Sequence, residues 1–108
     1  MTRYSGGVDF EREVRRRLET DGYWVIRAAG SKGKADLVAI KNNQVLIVQC
    51  KRNGLCPPAE RNEVRRIAAL LPGVAIPLVA QRPGITFRRL TGPAASNWEA
   101  FTTDEVTP

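Results

Sequence analysis

Between Asp36 and Lys51 the chain reads DLVAIKNNQVLIVQCK, two apolar runs separated by Asn42 and Asn43. β-Branched residues on both sides of a two-residue Asn loop predict a β-hairpin. With those two residues as the loop, Lys41 pairs with Gln44, and counting outward sets Asp36 opposite Gln49. Directly opposed residues share a face, with Cβ atoms about 4.5–5.5 Å apart. Lys51 lies two residues beyond Gln49, and strand periodicity returns it to the same face. A carboxylate, an amide oxygen and an ammonium group therefore converge at the end of an apolar hairpin. Burying such groups is costly unless they bind something.

The segments around the hairpin predict a mixed α/β domain. Phe10, Val14 and Leu18 recur at helical spacing over residues 9–21, and Gly22 supplies a stop. Glu11 shares their inward side, an odd place for a carboxylate, after a polar lead over residues 1–7. Residues 23–28 (YWVIRA) read as a strand, and Gly30 to Lys34 as a flexible basic loop. Pro57 and Pro58 open a second helix running to about Leu71. Its stripe is Val64, Ile67, Ala68 and Leu71, with Arg61, Arg65 and Arg66 largely off it. Residues 74–80 and 85–90 complete the strands. The expected fold is a central mixed five-stranded sheet flanked by helices, in the order α-β-β-β-α-β-β. The expected division is a folded domain over residues 1–92 and an acidic, partly packed tail over 93–108.

Composition narrows the chemistry. With 108 residues and 43% apolar content the chain is one domain with a modest core. No apolar run approaches the roughly 20 residues a membrane span needs, and no signal peptide opens the sequence, so a soluble cytoplasmic protein is expected. There is no histidine, which excludes imidazole acid–base chemistry and the usual nucleophile triads. Cys50 and Cys56 are too few for a zinc site and are expected as reduced thiols. All 17 basic residues precede Gly92, against 8 acids there, a balance of +9. A basic body of this kind suits a polyanion, most simply nucleic acid. Oxygen ligands from Asp36, Gln49 and Glu11 suit a hard cation such as Mg²⁺. Such a cation polarises a phosphodiester and activates a water while a nearby ammonium stabilises developing charge.

Several segments resemble the archaeal-type Holliday-junction resolvases, including phage-borne relatives, within the PD-(D/E)xK nuclease superfamily, whose fold is restriction-endonuclease-like. They are FEREV at 10–14, VIRAAGS at 25–31, KGKADLVA at 32–39 and IVQCK at 47–51, and the likeness extends over roughly residues 3–92. By that resemblance Glu11 is the helical carboxylate, Ser31 the loop hydroxyl, Asp36 the main metal ligand and Lys51 the catalytic lysine. The main-chain carbonyl of Cys50 is a further ligand. The resemblance also implies Mg²⁺, with Mn²⁺ as a substitute, a homodimer, and paired nicks in four-way DNA junctions. Arg3, Arg12, Arg15, Arg27, Lys32, Lys34 and Arg52 are the expected phosphate contacts.

The family usually has Glu where this chain has Gln49. An amide oxygen still ligates Mg²⁺, but the site loses one negative charge. Three readings follow: an active natural variant, a weakened junction binder, or an engineered inactive mutant. Two wider alternatives also stand. One is a nuclease for flaps or duplex, and the other a non-catalytic scaffold that holds branched DNA through its phosphates.

Overall fold

The computed structural model describes residues 3–28 and 36–103, with side chains from residue 9 onward. The elements run α1 (Arg3–Thr20), β1 (Trp24–Arg27), β2 (Leu37–Lys41), β3 (Gln44–Cys50), α2 (Pro58–Ala68), β4 (Ala75–Gln81), β5 (Thr86–Leu90) and β6 (Trp98–Phe101). They form one sheet in the spatial order β1-β2-β3-β4-β5-β6. Only β3 and β4 are parallel, joined by the α2 crossover; every other neighbouring pair is antiparallel. The mixed α/β architecture is the one expected, with six strands in place of five. The sixth falls in the segment read as a tail. It pairs Phe101 with Phe87 and Trp98 with Leu90, and Arg88 stacks over the Trp98 ring at 4.2 Å.

Each helix covers one face. Phe10, Val14 and Leu18 of α1 pack on Leu37, Ala39, Leu46, Val48 and Leu78. Val64 and Ala68 of α2 pack on Ile47 and Val79 on the other side. Helix α1 begins at Arg3, passing through Gly6 and Gly7 where a break was expected. Each glycine costs a helix about 1 kcal/mol, whereas burying each of Phe10, Val14 and Leu18 returns about 1.5–3 kcal/mol. The packed stripe outweighs the local preference.

Arg61 is also a correction. It lies on the inward side of α2, only 8% exposed. Its Nε donates to the Pro93 carbonyl at 3.0 Å and its Nη1 to the Cys56 carbonyl at 2.8 Å. These bonds satisfy a buried guanidinium and fasten the chain after β5 to the start of α2.

The end of α1 fixes the hairpin turn. Tyr23 N–H donates to the Leu18 carbonyl and Gly22 N–H to that of Glu19, both at 3.0 Å. This is the paired bonding of a Schellman cap. From there the Tyr23 hydroxyl donates to Gln44 Oε1 and Lys41 Nζ to the Asp21 carbonyl, each at 2.7 Å. Gly22 has φ +95°. A side chain there meets backbone strain of about 1–2 kcal/mol. Gly22→Ala is expected to lower unfolding free energy by that amount in urea denaturation, with an unchanged m-value.

Candidate active site

The hairpin has the register the sequence predicts. Lys41 pairs with Gln44 and Leu37 with Val48, so the next rung sets Asp36 across from Gln49. Asn42 takes a left-handed φ of 55°, closing the two-residue turn. Asp36 N–H donates to the Val48 carbonyl at 2.8 Å, and its Oδ2 accepts the Cys50 N–H at 2.8 Å. The carboxylate is thereby locked to the last rung of the ladder, one residue before Lys51.

Gln49 is 4% exposed and lies on the α2 face of the sheet. Its Nε2 donates to Glu60 Oε1 at 3.0 Å, and Lys51 Nζ meets the same oxygen at 2.6 Å. Glu60 stands in the first turn of α2. Because α2 is the crossover between the parallel strands β3 and β4, its first turn must sit at the C-terminal end of β3, where Lys51 lies. Open α/β sheets bind ligands at that end. Glu60 was not picked out from the sequence. The available signal was an acid in the first turn of the helix that follows the x-Lys strand.

Glu11 arrives from the other layer. Its Oε1 accepts Arg27 Nε of β1 in an ion pair. No hydrogen bond joins it to Asp36, yet its charge acts on the Asp36 carboxyl. That carboxyl is pushed above the ordinary aspartate range, first by burial. The Cys50 amide opposes the shift, Glu11 adds to it, Lys51 opposes it and Glu60 adds to it. Burial, followed by the Asp36 and Glu11 charges, drives the Cys50 thiol pKa far up and keeps it protonated. Cys50 and Cys56 are both free thiols.

A cleft of about 590 Å³ opens beside these groups, lined by Phe10, Cys50, Lys51, Arg52, Asn53 and Arg82. Arg82 is held there by Glu13 at 2.6 Å and lies 5.1 Å from the Phe10 ring centroid. It is a third cleft cation, beside Lys51 and Arg52, and the sequence did not single it out. Arg12, Arg15 and Arg27 line a smaller cavity of about 130 Å³ with Glu11. Arg12 and Arg15 are exposed and paired with Asp9 and Glu19. Ser31, Lys32 and Lys34, and the side chain of Arg3, lie outside the described residues.

The oxygen donors fit a hard cation. Gln49 Oε1 is buried with no hydrogen-bond partner among the described residues, and only the nitrogen of that amide can donate to Glu60. Among the described residues no three Asp, Glu or Cys side chains close on one point. An open set of one or two carboxylates plus neutral oxygens is what Mg²⁺ uses, because it keeps several of its waters.

The raised Asp36 pKa carries a stability consequence. A carboxyl with a folded pKa above its unfolded value, about 3.9, adds stability below that value. The contribution is lost as pH rises through the folded value. Asp36→Asn keeps an acceptor for the Cys50 amide but removes the desolvated charge. Its melting temperature in EDTA is expected to equal or exceed wild type at pH 7, with the gap narrowing towards pH 4.

Residues 2–69 match the family described as archaeal Holliday junction resolvase (Hjc). The chain is 53% identical over 49 residues to the crossover junction endodeoxyribonuclease Hjc of Methanocaldococcus jannaschii, covering 45% of this chain and 36% of that protein. The matched segment thus spans about a third of that curated relative. The solved structure of Archaeoglobus fulgidus Hjc, a Holliday junction resolvase from an archaeal hyperthermophile, superposes with a TM-score of 0.61 at 26% identity. The superposition covers 78% of this chain and 70% of that one.

Proposed function

Because the chain belongs to the archaeal Holliday junction resolvase family, we propose that it is a Mg²⁺-dependent endonuclease cutting four-way DNA junctions by paired nicks. The observation that carries this reading is the register setting Asp36 across from Gln49, with Lys51 beside them at the mouth of a basic cleft. Asp36, the Gln49 amide oxygen, the Cys50 carbonyl and Glu11 are the proposed metal ligands, and Mn²⁺ would substitute. When bound, the cation supplies polarisation of the phosphodiester and a more acidic water. Lys51 offers a fixed positive charge to the negative charge that would develop on the oxygens of the pentacoordinate phosphoryl group. The Cys50 amide holds the Asp36 carboxylate in orientation, so little reorganisation accompanies the reaction. Arg52 and Arg82 line the cleft and would grip flanking phosphates, as would Arg12, Arg15 and Arg27 nearby. Ser31, Lys32, Lys34 and Arg3 complete the proposed set from the resemblance alone. The protein would act in the cytoplasm, that of the host if phage-encoded. Among the described residues no helix is long and apolar enough to cross a membrane.

A labelled four-way junction tests this. Cleavage is expected with Mg²⁺ and not with EDTA, and in preference to flap or linear duplex. Lys51→Ala should slow cleavage by about 10²–10³-fold, the cost of removing one charge-stabilising donor. Asp36→Asn should abolish it while junction binding persists. The glutamine at position 49 favours a second reading, a branched-DNA binder without catalysis. On that reading wild type holds the junction intact, and binding falls steeply with salt without any metal requirement.

A homodimer completes the proposal. Trp24, Ile26 and Ile40 are 64%, 42% and 37% exposed on the edge strand β1 and its neighbour β2. They share the face that α2 covers further along the sheet. Exposed apolar side chains grouped in this way mark an interaction surface. Trp24→Glu is expected to convert dimer to monomer in sedimentation velocity while the circular dichroism spectrum is retained.

A further inference from the structure

We infer that Glu60 is a positioning residue for the reaction: from helix α2 its carboxylate holds the Lys51 ammonium and sets the orientation of the Gln49 amide. The inference deepens the nuclease reading above and rests on it, and it gives Glu60 no contact with the metal.

Two donors from one strand converge on one oxygen. Glu60 Oε1 accepts Gln49 Nε2 at 3.0 Å and lies 2.6 Å from Lys51 Nζ. Lys51 N–H donates to the Ala80 carbonyl at 2.8 Å, which carries the ladder one residue past Cys50. Gln49 and Lys51 therefore leave the same face of the sheet, the one that α2 covers. An exposed ion pair is screened and pins little. Here the Lys51 and Glu60 side chains are both mostly buried, and Gln49 almost wholly so. The carboxylate also stands on a fixed base. Arg61, the next residue, bonds the carbonyls of Cys56 and Pro93, and its N–H donates to the Pro57 carbonyl at 2.9 Å.

Each contact has its own consequence. Lysine carries three ammonium protons on a flexible stem. Giving one of them to Glu60 holds the stem and leaves two for phosphate oxygens. The Gln49 amide is committed to Glu60 through its nitrogen, so its oxygen is the free end. That oxygen is buried with no hydrogen-bond partner among the described residues. Glu60 thus decides which end of the amide is open to a cation. A glutamate at position 49 would set a second carboxylate against Glu60, and like charges at such a distance repel. Gln49 and Glu60 fit each other where two acids would not.

The test compares Glu60→Ala, Glu60→Gln, Lys51→Ala and the double variant Lys51→Ala/Glu60→Ala, each confirmed as folded by circular dichroism. Single-turnover cleavage of a four-way junction is measured with Mg²⁺. Glu60→Ala is expected to slow it about tenfold or more, the effect of one hydrogen bond to a charged group, with junction affinity no weaker than wild type. Glu60→Gln keeps an oxygen for both donors and should recover most of that loss. A residue acting through Lys51 is not additive with it, so in the Lys51→Ala background Glu60→Ala should cost less than about threefold. Cleavage by Glu60→Ala at or above the wild-type rate overturns the inference. So does an equal loss in both backgrounds. Nuclear magnetic resonance without metal or DNA reads the contacts directly. In wild type the Gln49 side-chain amide protons should exchange slowly and the two Lys51 Hε protons should be inequivalent, and both signatures should be lost in Glu60→Ala. Their survival there also overturns the inference. A wild type that leaves every junction uncut overturns the nuclease reading instead, and the resonance signatures then decide the positioning by themselves.

Discussion

The register of the β2–β3 hairpin is the constraint on which the rest depends. Side chains alternate faces with a period of two, so a slip of one residue would carry Gln49 and Lys51 to the α1 side. Several independent features hold that register. Asn42 accepts the left-handed turn, and Tyr23 and Lys41 tie the turn to the cap of α1. Alternating apolar residues satisfy a helix on each face. At the far end the Asp36 carboxylate closes on the Cys50 amide. The polar cluster is the free end of a ladder fixed along its whole length.

The parallel pairing of β3 with β4 then determines what else reaches the cluster. A crossover helix starts at the end where the first strand finishes, so α2 opens beside Lys51. Arg61, one turn into α2, bonds the carbonyls of Cys56 and Pro93. That ties the helix start, the preceding loop and the chain after β5 into one unit. Glu60, adjacent in sequence, is positioned by the same anchor. Asp36 sits in surroundings that disfavour its charge, since burial dominates the shift there. The folded state tolerates this because the Cys50 amide and Lys51 both face the acid.

Much of this was legible in the sequence because period and turn chemistry act locally. The hairpin, the Gly22 stop, the Pro58 start and the two apolar stripes each announce themselves within a few residues, although α2 ends at Ala68 and leaves Leu71, counted in its stripe, exposed. What was not legible depends on distant partners. Helix α1 extends back to Arg3 despite two glycines because its stripe is anchored on the sheet. Strand β6 has too little alternation to declare itself, and it exists because β5 offers an unpaired edge and Arg88 a stacking partner for Trp98. Arg61 looks like one more solvent-facing arginine until the Pro93 carbonyl, 32 residues away in sequence, is brought to it. Glu60 looks like an ordinary first-turn acid until the crossover places it against Gln49. The strand residues of the site were found by counting and Glu11 by helical period; the contact of Glu60 with Gln49 and Lys51 required topology.

A strand position such as 49 is wedged between two neighbouring strands and under a helix, so exchanging its side chain disturbs every layer at once. A first-turn helical position such as 60 is about one-fifth exposed and can be altered with its backbone bonds intact. Electrostatic character delivered from the helix is therefore open to gradual mutational adjustment, whereas the ladder beneath it must be conserved as a block.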